Sequence, residues 1–338
     1  MKRNFKTCLS LGMLIALAFL PFSNLQAAHA SLASSVDGIS AVAYNPANHD
    51  IYVADGSSGG VKVISGASNA VIKTIRVGLL PSAISIDPID NDVYVANAGS
   101  NTISIINHTT NKVSSTLPAG NLPIALAIDP LDKRIYVANA GYGTIRVIDR
   151  LTGAFYGTVR VGNMPDALAF DPRSGDIYVA NAASSNIKVI NGSNTVVTTV
   201  QVGRFPSSLV FGYSNSTSDP GYLGTAYESN AASNNIYVLN GTNAVISTIP
   251  TGSQSAPDSM AYDPVNKNVY VTNAGLGTVS VIDTKSNTVV GMIPVGTLPD
   301  SITYDSANKS LYVANAGSGT ISVINGTTNT IIATIGKL

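Results

Sequence analysis

The chain has 338 residues, and its 19 basic and 19 acidic side chains give a formal net charge of zero. Only 11% of the residues are charged, against about 25% in an average soluble domain. A hydrophobic content of 45% excludes a disordered polyelectrolyte, and the lack of a basic excess disfavours general polyanion binding. The single Cys excludes a disulfide framework and a thiolate metal cluster.

Residues 1–30 have the three parts of a secretory signal peptide. Three basic residues precede a mostly apolar run over 9–20, and Ala28-His29-Ala30 places small side chains at the cleavage-determining positions. An uncleaved membrane anchor is the alternative, but a bilayer-spanning helix needs about 20 apolar residues. Cleavage after Ala30 is therefore predicted, which leaves residues 31–338 with 16 basic and 19 acidic side chains and no Cys.

A motif of the form Tyr-Val-Ala-Asn recurs with a period of 42 residues, and its copies begin at Tyr52, Tyr94, Tyr136, Tyr178, Tyr270 and Tyr312. The gap of 92 residues between Tyr178 and Tyr270 has room for one more copy and an insertion. Alignment of the flanking residues places that copy at Tyr227-Glu228-Ser229-Asn230, and not at Tyr237-Val238-Leu239-Asn240. The insertion then falls at 213–221, and the chain contains seven repeats.

Each repeat contains four short segments rich in Val, Ile, Thr and Tyr, separated by Gly, Pro, Asn and Asp, which is typical of strands and turns. In the second repeat these segments are 82–86, 92–97, 102–106 and 112–117. Four strands per repeat at this period indicate β-propeller blades. We predict an all-β fold, a seven-bladed β-propeller of four-stranded antiparallel blades, in which residues 31–338 form a single domain.

The first strand of each repeat alternates small and large side chains, as in Ala83-Ile84 and Ala125-Leu126. Successive strand residues point to opposite faces, and small against large side chains let neighbouring blades interdigitate. This strand is therefore predicted to lie innermost. Each blade is expected to be contiguous in sequence, with the first closing on the seventh by packing of their faces.

The repeats resemble those of the YVTN-repeat β-propellers. The resemblance rests on the Tyr-Val-Ala/Thr-Asn motif, with Gly-x-x-Pro before it and Asp-Pro between, and it covers residues 36–338. It implies a secreted or cell-surface protein, similar to archaeal surface-layer components and bacterial envelope proteins, most of them without a known activity. A periplasmic bacterial relative looks like a DNA-binding propeller. The pattern is broken at Asp55, at Glu228-Ser229 and at Ile39, where other repeats have Asn, Val-Ala and Pro.

Side chains for catalysis are scarce in residues 31–338. His49 and His108 are the histidines that remain, Glu228 is the one glutamate, and Trp and Cys are absent. A histidine-based metal site or proton relay needs several such groups together. The sequence therefore does not favour an enzyme, and it disfavours the streptogramin-lyase type of propeller, which is similar in fold but relies on His and Glu.

The residue that follows Pro at the start of the first strand varies between repeats, and it is Ser82, Ile124, Asp166, Ser207, Asp258 and Asp300 in successive repeats. If the first strands line the axis, Asp166, Asp258 and Asp300 share one ring at the mouth of the central channel. Their oxygens would then suit Ca²⁺ or Mg²⁺. The alternative is that each Asp caps its own Pro turn. Both interpretations stay open, and no other cofactor is expected.

A second candidate site is the rim formed by the loops before these prolines and the neighbouring turns. Its large side chains are Leu80, Leu122, Tyr142, Met164, Phe205 and Leu298. An exposed apolar patch among polar loops marks an interaction surface. The same side chains would alternatively fill the gaps between blades, and the sequence does not decide between the two roles.

Glycosylation is a further prediction from the turns between the third and fourth strands. Asn-x-Ser/Thr sequons stand there, at Asn107, Asn191, Asn240 and Asn325. Turns of this kind are exposed, so that a glycan would be accommodated.

The expected function is that of an exported, non-enzymatic module in the extracellular or periplasmic space or at the cell surface. It would bind an envelope or extracellular protein or glycan, or have a structural role, without a membrane span in the mature chain. An envelope DNA- or polyanion-binding propeller is one alternative, because six of the seven mature arginines lie between Arg134 and Arg204. The acidic net charge makes nucleic acid an unfavourable partner. The other alternative is a hydrolase or lyase that uses the acidic channel mouth.

Overall fold

The computed structural model describes residues 38–212, 224–336 and 338. These residues form seven four-stranded antiparallel sheets, and in every sheet the strands pair in chain order. The predicted seven-bladed β-propeller is therefore confirmed, and each blade is contiguous in sequence. The predicted signal peptide, 1–30, and the predicted insertion, 213–221, lie outside the described residues.

The first four blades follow one another along the chain. Blade 1 consists of β1 (Ile39–Asn45), β2 (Asp50–Asp55), β3 (Gly60–Ser65) and β4 (Val71–Arg76). Blade 2 consists of β5 (Pro81–Ile86), β6 (Val93–Asn97), β7 (Thr102–Asn107) and β8 (Lys112–Pro118). Blade 3 consists of β9 (Pro123–Asp129), β10 (Arg134–Asn139), β11 (Thr144–Asp149) and β12 (Phe155–Arg160). Blade 4 consists of β13 (Pro165–Phe170), β14 (Ile177–Asn181), β15 (Asn186–Ile190) and β16 (Val196–Gln201), with a 3₁₀ turn at Ala182–Ser184.

The last three blades complete the ring. Blade 5 consists of β17 (Pro206–Gly212), β18 (Thr225–Asn230), β19 (Asn235–Leu239) and β20 (Val245–Pro250). Blade 6 consists of β21 (Pro257–Asp263), β22 (Asn268–Asn273), β23 (Thr278–Asp283) and β24 (Thr288–Pro294). Blade 7 consists of β25 (Pro299–Asp305), β26 (Ser310–Asn315), β27 (Thr320–Asn325) and β28 (Thr330–Ile335). The motif copy at Tyr227 lies in a second strand, like all the others, whereas Tyr237 lies in a third strand.

The first strand of each blade lies innermost, as predicted. Strand β1 packs between β5 and β25, and the other first strands contact their neighbours around the axis in the same way. The fourth strands lie outermost, so that in β4 only Ile75 is buried. The apolar core is therefore divided into interfaces between the faces of adjacent blades, such as the one that joins Tyr52 and Val63 of blade 1 to Val95 of blade 2.

The motif tyrosine of most blades reaches into the next blade and hydrogen-bonds an asparagine in the turn between its third and fourth strands. The donating hydroxyl and the accepting Oδ1 are 2.6 to 2.9 Å apart in the pairs Tyr52–Asn111, Tyr136–Asn194, Tyr227–Asn287, Tyr270–Asn329 and Tyr312–Asn69. Tyr178 instead interacts with Asn243 of blade 5, whose Oδ1 accepts no hydrogen bond within the described residues. Each of these asparagines has a positive φ, between 52° and 64°, a conformation that Asn tolerates better than most residues. Asn therefore serves both the turn and the contact between blades.

Blade 3 replaces this contact with an ion pair. Gly153 stands at the asparagine position with φ +70°, so it offers no amide to Tyr94 of blade 2. Arg150, three residues earlier, donates instead to the carboxylates of Asp87 and Asp90 in blade 2, at 2.6 and 2.7 Å. Asp87 is fully buried, so this pair is a structural bond of the interface.

The ring closes between blades 7 and 1 through contacts of the same kind, and within residues 38–212, 224–336 and 338 each of these two blades contains only its own four strands. Ile39 and Val53 of blade 1 pack with Tyr312 and Val323 of blade 7. The backbone N–H of Val42 also donates to Ser301 Oγ at 3.1 Å. Closure by packing of faces, as predicted, is confirmed.

In blades 2 and 7 the motif asparagine secures the loop that enters the blade. Asn97 accepts a hydrogen bond at Oδ1 from the backbone N–H of Gly78, at 3.1 Å, and its Nδ2 donates to Thr102 Oγ1 and Ser104 Oγ. A Cβ at Gly78 would lie 2.7 Å from that of Asn97, so the loop requires glycine there. The recurring asparagines are therefore structural.

We expect Tyr312→Phe to lower the free energy of unfolding by about 1 kcal/mol, the usual value for a lost hydrogen bond. Its hydroxyl donates to Asn69 across the closure of the ring. Tyr94→Phe is the matched control, because Gly153 faces it where other blades have asparagine. Urea denaturation measures both changes, and equal destabilisation by the two variants would contradict the role of the Tyr–Asn contact.

Candidate functional site

A cavity of about 430 Å³ lies on the axis, and residues from all seven blades line it. Its two halves differ in chemistry. Blades 1 to 3 contribute mainly apolar side chains, among them Leu80, Ile84, Leu122 and Ile124, together with Ser40 and Ser82. Blades 4 to 7 contribute serines and the three acidic residues Asp166, Asp258 and Asp300. The structure thus brings together the predicted acidic ring and part of the predicted apolar rim.

The second residue of the first strand, which follows Pro in every blade except blade 1, has a structural role wherever it is serine. Ser40 Oγ and Ser82 Oγ each donate to the carbonyl of the proline that starts the next blade, at 2.7 Å. Ser207 Oγ donates to Pro257 O at 3.0 Å. These hydroxyls tie adjacent blades together around the axis.

In blades 4, 6 and 7 this position is aspartate, and an ionised carboxylate cannot donate such a bond. Asp166, Asp258 and Asp300 are half-buried and line the cavity. Within the described ranges, no backbone N–H donates to any of these carboxylates, which is what a turn cap would require. Turn capping therefore does not account for the three aspartates.

The acidic side chains influence one another's protonation. Burial, and next the negative charge of Asp300, raise the pKa of Asp166 to about 7. Burial raises the pKa of Asp300 to about 6 and, together with the charges of Asp300 and Asp166, raises that of Asp258 well above its usual range.

The proposed calcium or magnesium site stays a prediction. Over residues 38–212, 224–336 and 338, no three His, Cys, Asp or Glu side chains stand close enough together to form a metal cluster. Asp166 belongs to blade 4, whereas Asp258 and Asp300 belong to blades 6 and 7, so the acids are distributed around the cavity.

The six side chains of the predicted rim have three different environments. Met164 and Phe205 are buried, at 4% and 6% exposure, and pack together with Ala182 between blades 4 and 5. Leu80 and Leu122 are half-buried and line the cavity. Leu298 is half-buried, and Tyr142 is 67% exposed. The prediction of a continuous exposed patch is therefore wrong for Met164 and Phe205, whose side chains fill a gap between blades.

The residue before the first-strand proline has an unusual backbone conformation that the sequence did not indicate. The φ of Leu80, Leu122, Met164, Phe205 and Leu298 lies between +48° and +59°, a region that bulky residues rarely adopt. The carbonyl of each residue accepts a hydrogen bond from the residue after a motif asparagine, as when Ala98 N donates to Leu80 O at 2.8 Å. This turn fixes the side chains of Leu80 and Leu122 in the cavity wall.

The arginine-rich stretch is largely occupied by contacts within the protein. Arg150 forms the ion pairs to blade 2 described above. Arg134 donates to Gly192 O at 2.6 Å, and the Arg146 guanidinium lies over the ring of Phe155, 4.4 Å from its centroid. These three arginines have structural contacts, which weakens the case for a basic binding surface.

Glu228 lies apart from the cavity. It replaces the motif valine in β18, on the same face as Ala226, which packs against blade 4. Its side chain is fully buried, Asn230 Nδ2 donates to its Oε2 at 2.7 Å, and Oε1 meets no partner in the described part of the chain. Burial raises its pKa well above the usual range, which favours the neutral carboxyl. Glu228 is therefore a feature of one blade interface.

The sequon asparagines form part of their own turns. Asn191 Oδ1 accepts hydrogen bonds from the backbone N–H groups of Ser193 and Thr195, and Asn107 and Asn325 accept equivalent bonds. Asn240 accepts from Thr242 and Ala244. All four side chains are half-buried. Glycosylation at these positions stays a prediction.

Comparisons with known proteins agree with the fold. A family model described as YNCE-like beta-propeller matches residues 84–222, and none of the curated proteins matches the chain. A solved structure of Kuenenia stuttgartiensis hydrazine synthase is similar, with a TM-score of 0.70 and 18% identity over 86% of this chain and 96% of that chain. At this identity the likeness shows the fold alone. The family match and the seven blades fit a YVTN-type propeller family. No helix in the described part of the chain is long and apolar enough to cross a membrane.

The raised pKa of Asp166 predicts how stability depends on pH. A carboxyl whose pKa is higher in the folded than in the unfolded state stabilises the fold at low pH, and this contribution is lost as pH rises through the folded value, here about 7. We expect the melting temperature to fall by at least about 3 °C between about pH 5 and about pH 8.

Asp166→Asn should reduce this dependence of the melting temperature on pH, because the amide does not ionise. Asp149→Asn is the control, since the pKa of the exposed Asp149 carboxyl is lowered and its protonation is constant over this range. Thermal melts monitored by circular dichroism test the prediction. If the melting temperature of Asp166→Asn depends on pH as that of the unaltered protein does, burial does not raise the pKa of the Asp166 carboxyl.

Proposed function

We propose that the protein is an exported, non-enzymatic binding module whose central cavity receives a group of an envelope or extracellular ligand. The observation that carries the proposal is the break in the repeat around the axis. Serine at this position of the first strand joins one blade to the next, whereas Asp166, Asp258 and Asp300 line the same cavity without making such a bond. Side chains that the fold does not need are candidates for function.

The case for export rests on the amino-terminal sequence. A basic start, a short apolar run and Ala28-His29-Ala30 are the features of a secretory signal. The predicted mature chain has a net charge of −3 and no Cys, which suits an oxidising compartment because no thiol is present to react.

Binding explains the cavity better than catalysis does. A nucleophilic hydroxyl requires an adjacent base, but the Ser82 and Ser207 hydroxyls donate to backbone carbonyls. His49 contacts Tyr44 and His108 contacts Asp92, both in turns away from the cavity lining. A cavity that combines apolar side chains with a few polar groups is typical of a small-molecule site.

Export predicts a defined amino terminus. Expressed with its own leader in a secreting bacterial host, the protein should leave the cytoplasm and begin at Ser31. Ala30→Leu should block cleavage, since the processing site requires small residues, whereas Ala33→Leu should be processed normally. Intact-mass spectrometry of the recovered protein checks this, and a cytoplasmic chain that retains Met1 would contradict export.

Binding in the cavity predicts that filling it abolishes ligand capture. The exported protein is incubated with native envelope extract, washed and denatured, and mass spectrometry identifies the small molecules and glycan or peptide fragments released. Ile124→Trp should fill the cavity and lose the captured compound. Leu79→Trp, on a side chain that is 66% exposed and outside the lining, should retain it.

A melting temperature close to that of the unaltered protein shows that Ile124→Trp is folded, and Ser208→Trp offers a second filled cavity. If the filled and unfilled proteins retain the same compounds, or if none is retained, the cavity is not the binding site.

A further inference from the structure

Blade 5 has a buried acid where the other blades have valine. Glu228 stands in the place of the motif valine, and its side chain is fully buried. The valines at the equivalent place are fully buried too, and they are Val53, Val95, Val137, Val179, Val271 and Val313. Since six blades fold with an apolar side chain here, the propeller itself does not require a carboxyl group.

The residue beside Glu228 is smaller than its counterparts. Ala226 lies two residues earlier and therefore on the same face of β18. The residues at the equivalent place in the other blades are Ile51, Val93, Ile135, Ile177, Val269 and Leu311. Alanine here offsets the extra volume that glutamate has over valine, so the interface is adapted to Glu228.

Glu228 faces blade 4 among apolar side chains. Within its own sheet it pairs with Leu209 and Tyr237. The face of blade 4 that packs against blade 5 carries Ala167, Ala169, Tyr178, Ala180, Ile187 and Val189. The other titratable groups on these two faces are the phenols of Tyr178 and Tyr237, and tyrosine ionises only at about pH 10.

No charged side chain in the strands of the two blades compensates an ionised Glu228. Besides Glu228, the eight strands of blades 4 and 5 contain only Asp166 and Lys188 as charged residues. Asp166 alternates with Ala167 along β13, and Lys188 alternates with Ile187 along β15, so both lie on the face that points away from blade 5.

The Glu228 carboxyl has too few hydrogen bonds for a buried negative charge. Asn230 Nδ2 donates to its Oε2 at 2.7 Å, and Oε1 meets no partner within the described residues. In blades 2, 6 and 7 the equivalent asparagine donates to a serine of the third strand instead. A buried carboxylate with a single donor is unfavourable, so ionisation favours an arrangement in which water reaches the group.

We propose that Glu228 makes the interface between blades 4 and 5 a pH-sensitive switch in the ring. The interface is closed while the carboxyl holds its proton, and it opens when that proton is released to solvent. The six interfaces with valine at this place lack the switch.

The direction of the pH dependence follows from burial. Burial raises the pKa of Glu228 well above its usual range, and the Asn230 hydrogen bond opposes this only in part. A group of this kind favours the closed state fully below the ordinary glutamate pKa, and this contribution is lost as pH rises through the raised value.

Thiol labelling measures the opening of single interfaces. Cys8→Ser removes the one thiol of the chain, and Ala180→Cys then places a thiol on the face of blade 4 that packs against blade 5. Ala138→Cys is the matched control, at the same place in blade 3, and it reports on the interface that contains Val179. Both alanines are fully buried, so a water-soluble maleimide reacts only when the interface opens. The ratio of the two labelling rates cancels the pH dependence of the thiol reaction.

We expect the Ala180→Cys rate to rise relative to the Ala138→Cys rate by about tenfold per pH unit from about pH 5.5 up to the raised pKa, because opening releases one proton. Glu228→Gln keeps the size of the side chain without its proton, and Glu228→Val restores the motif residue. Each should make the ratio independent of pH. Circular dichroism shows that the variants are folded, and Glu228→Val has the side chain that six blades already accommodate.

A ratio that stays constant with pH in the protein with Glu228 would overturn the proposal, including the case in which both thiols become accessible in parallel. A rise that persists in Glu228→Gln and Glu228→Val would overturn it as well. Neither result depends on a ligand in the central cavity, so the switch and the proposed function are tested separately.

Discussion

The contact between the motif tyrosine of one blade and the turn asparagine of the next is the interaction on which the ring depends. It joins the second strand of one blade to the turn between the third and fourth strands of the next. The Tyr312–Asn69 pair makes this contact where blade 7 meets blade 1. Asn is suited to this position because it tolerates the positive φ of the turn and offers an amide oxygen at the same time. Where Gly153 interrupts the pattern, Arg150 bonds to Asp87 instead.

Because these contacts and the packed faces hold the blades together, not every side chain near the axis is needed to join neighbouring blades. Serine still bridges adjacent first strands in several blades, as at Ser40 and Ser82. Aspartate in the same place in other blades shows that the ring closes without every bridge. Repetition thus marks the residues that build the propeller, and departures from repetition mark the residues available for a ligand.

The sequence predicted the fold because the same pattern of strands and turns occurs seven times in register. It also predicted that Asp166, Asp258 and Asp300 would share a ring, since strand order follows from the repeat. It did not decide between the two roles of the rim, because the direction of Leu122 and of Phe205 depends on a positive φ that bulky residues seldom adopt. The pairing of Arg150 with blade 2 was missed too, since Arg150 and Asp90 are 60 positions apart in the sequence.

A carboxyl titration by nuclear magnetic resonance tests the central claim most directly. The side-chain ¹³C signals of Asp166, Asp258 and Asp300 are followed against pH. The account predicts that the three carboxyls titrate above the usual aspartate pKa, because they line the same half-buried cavity. Ordinary aspartate pKa values would contradict it.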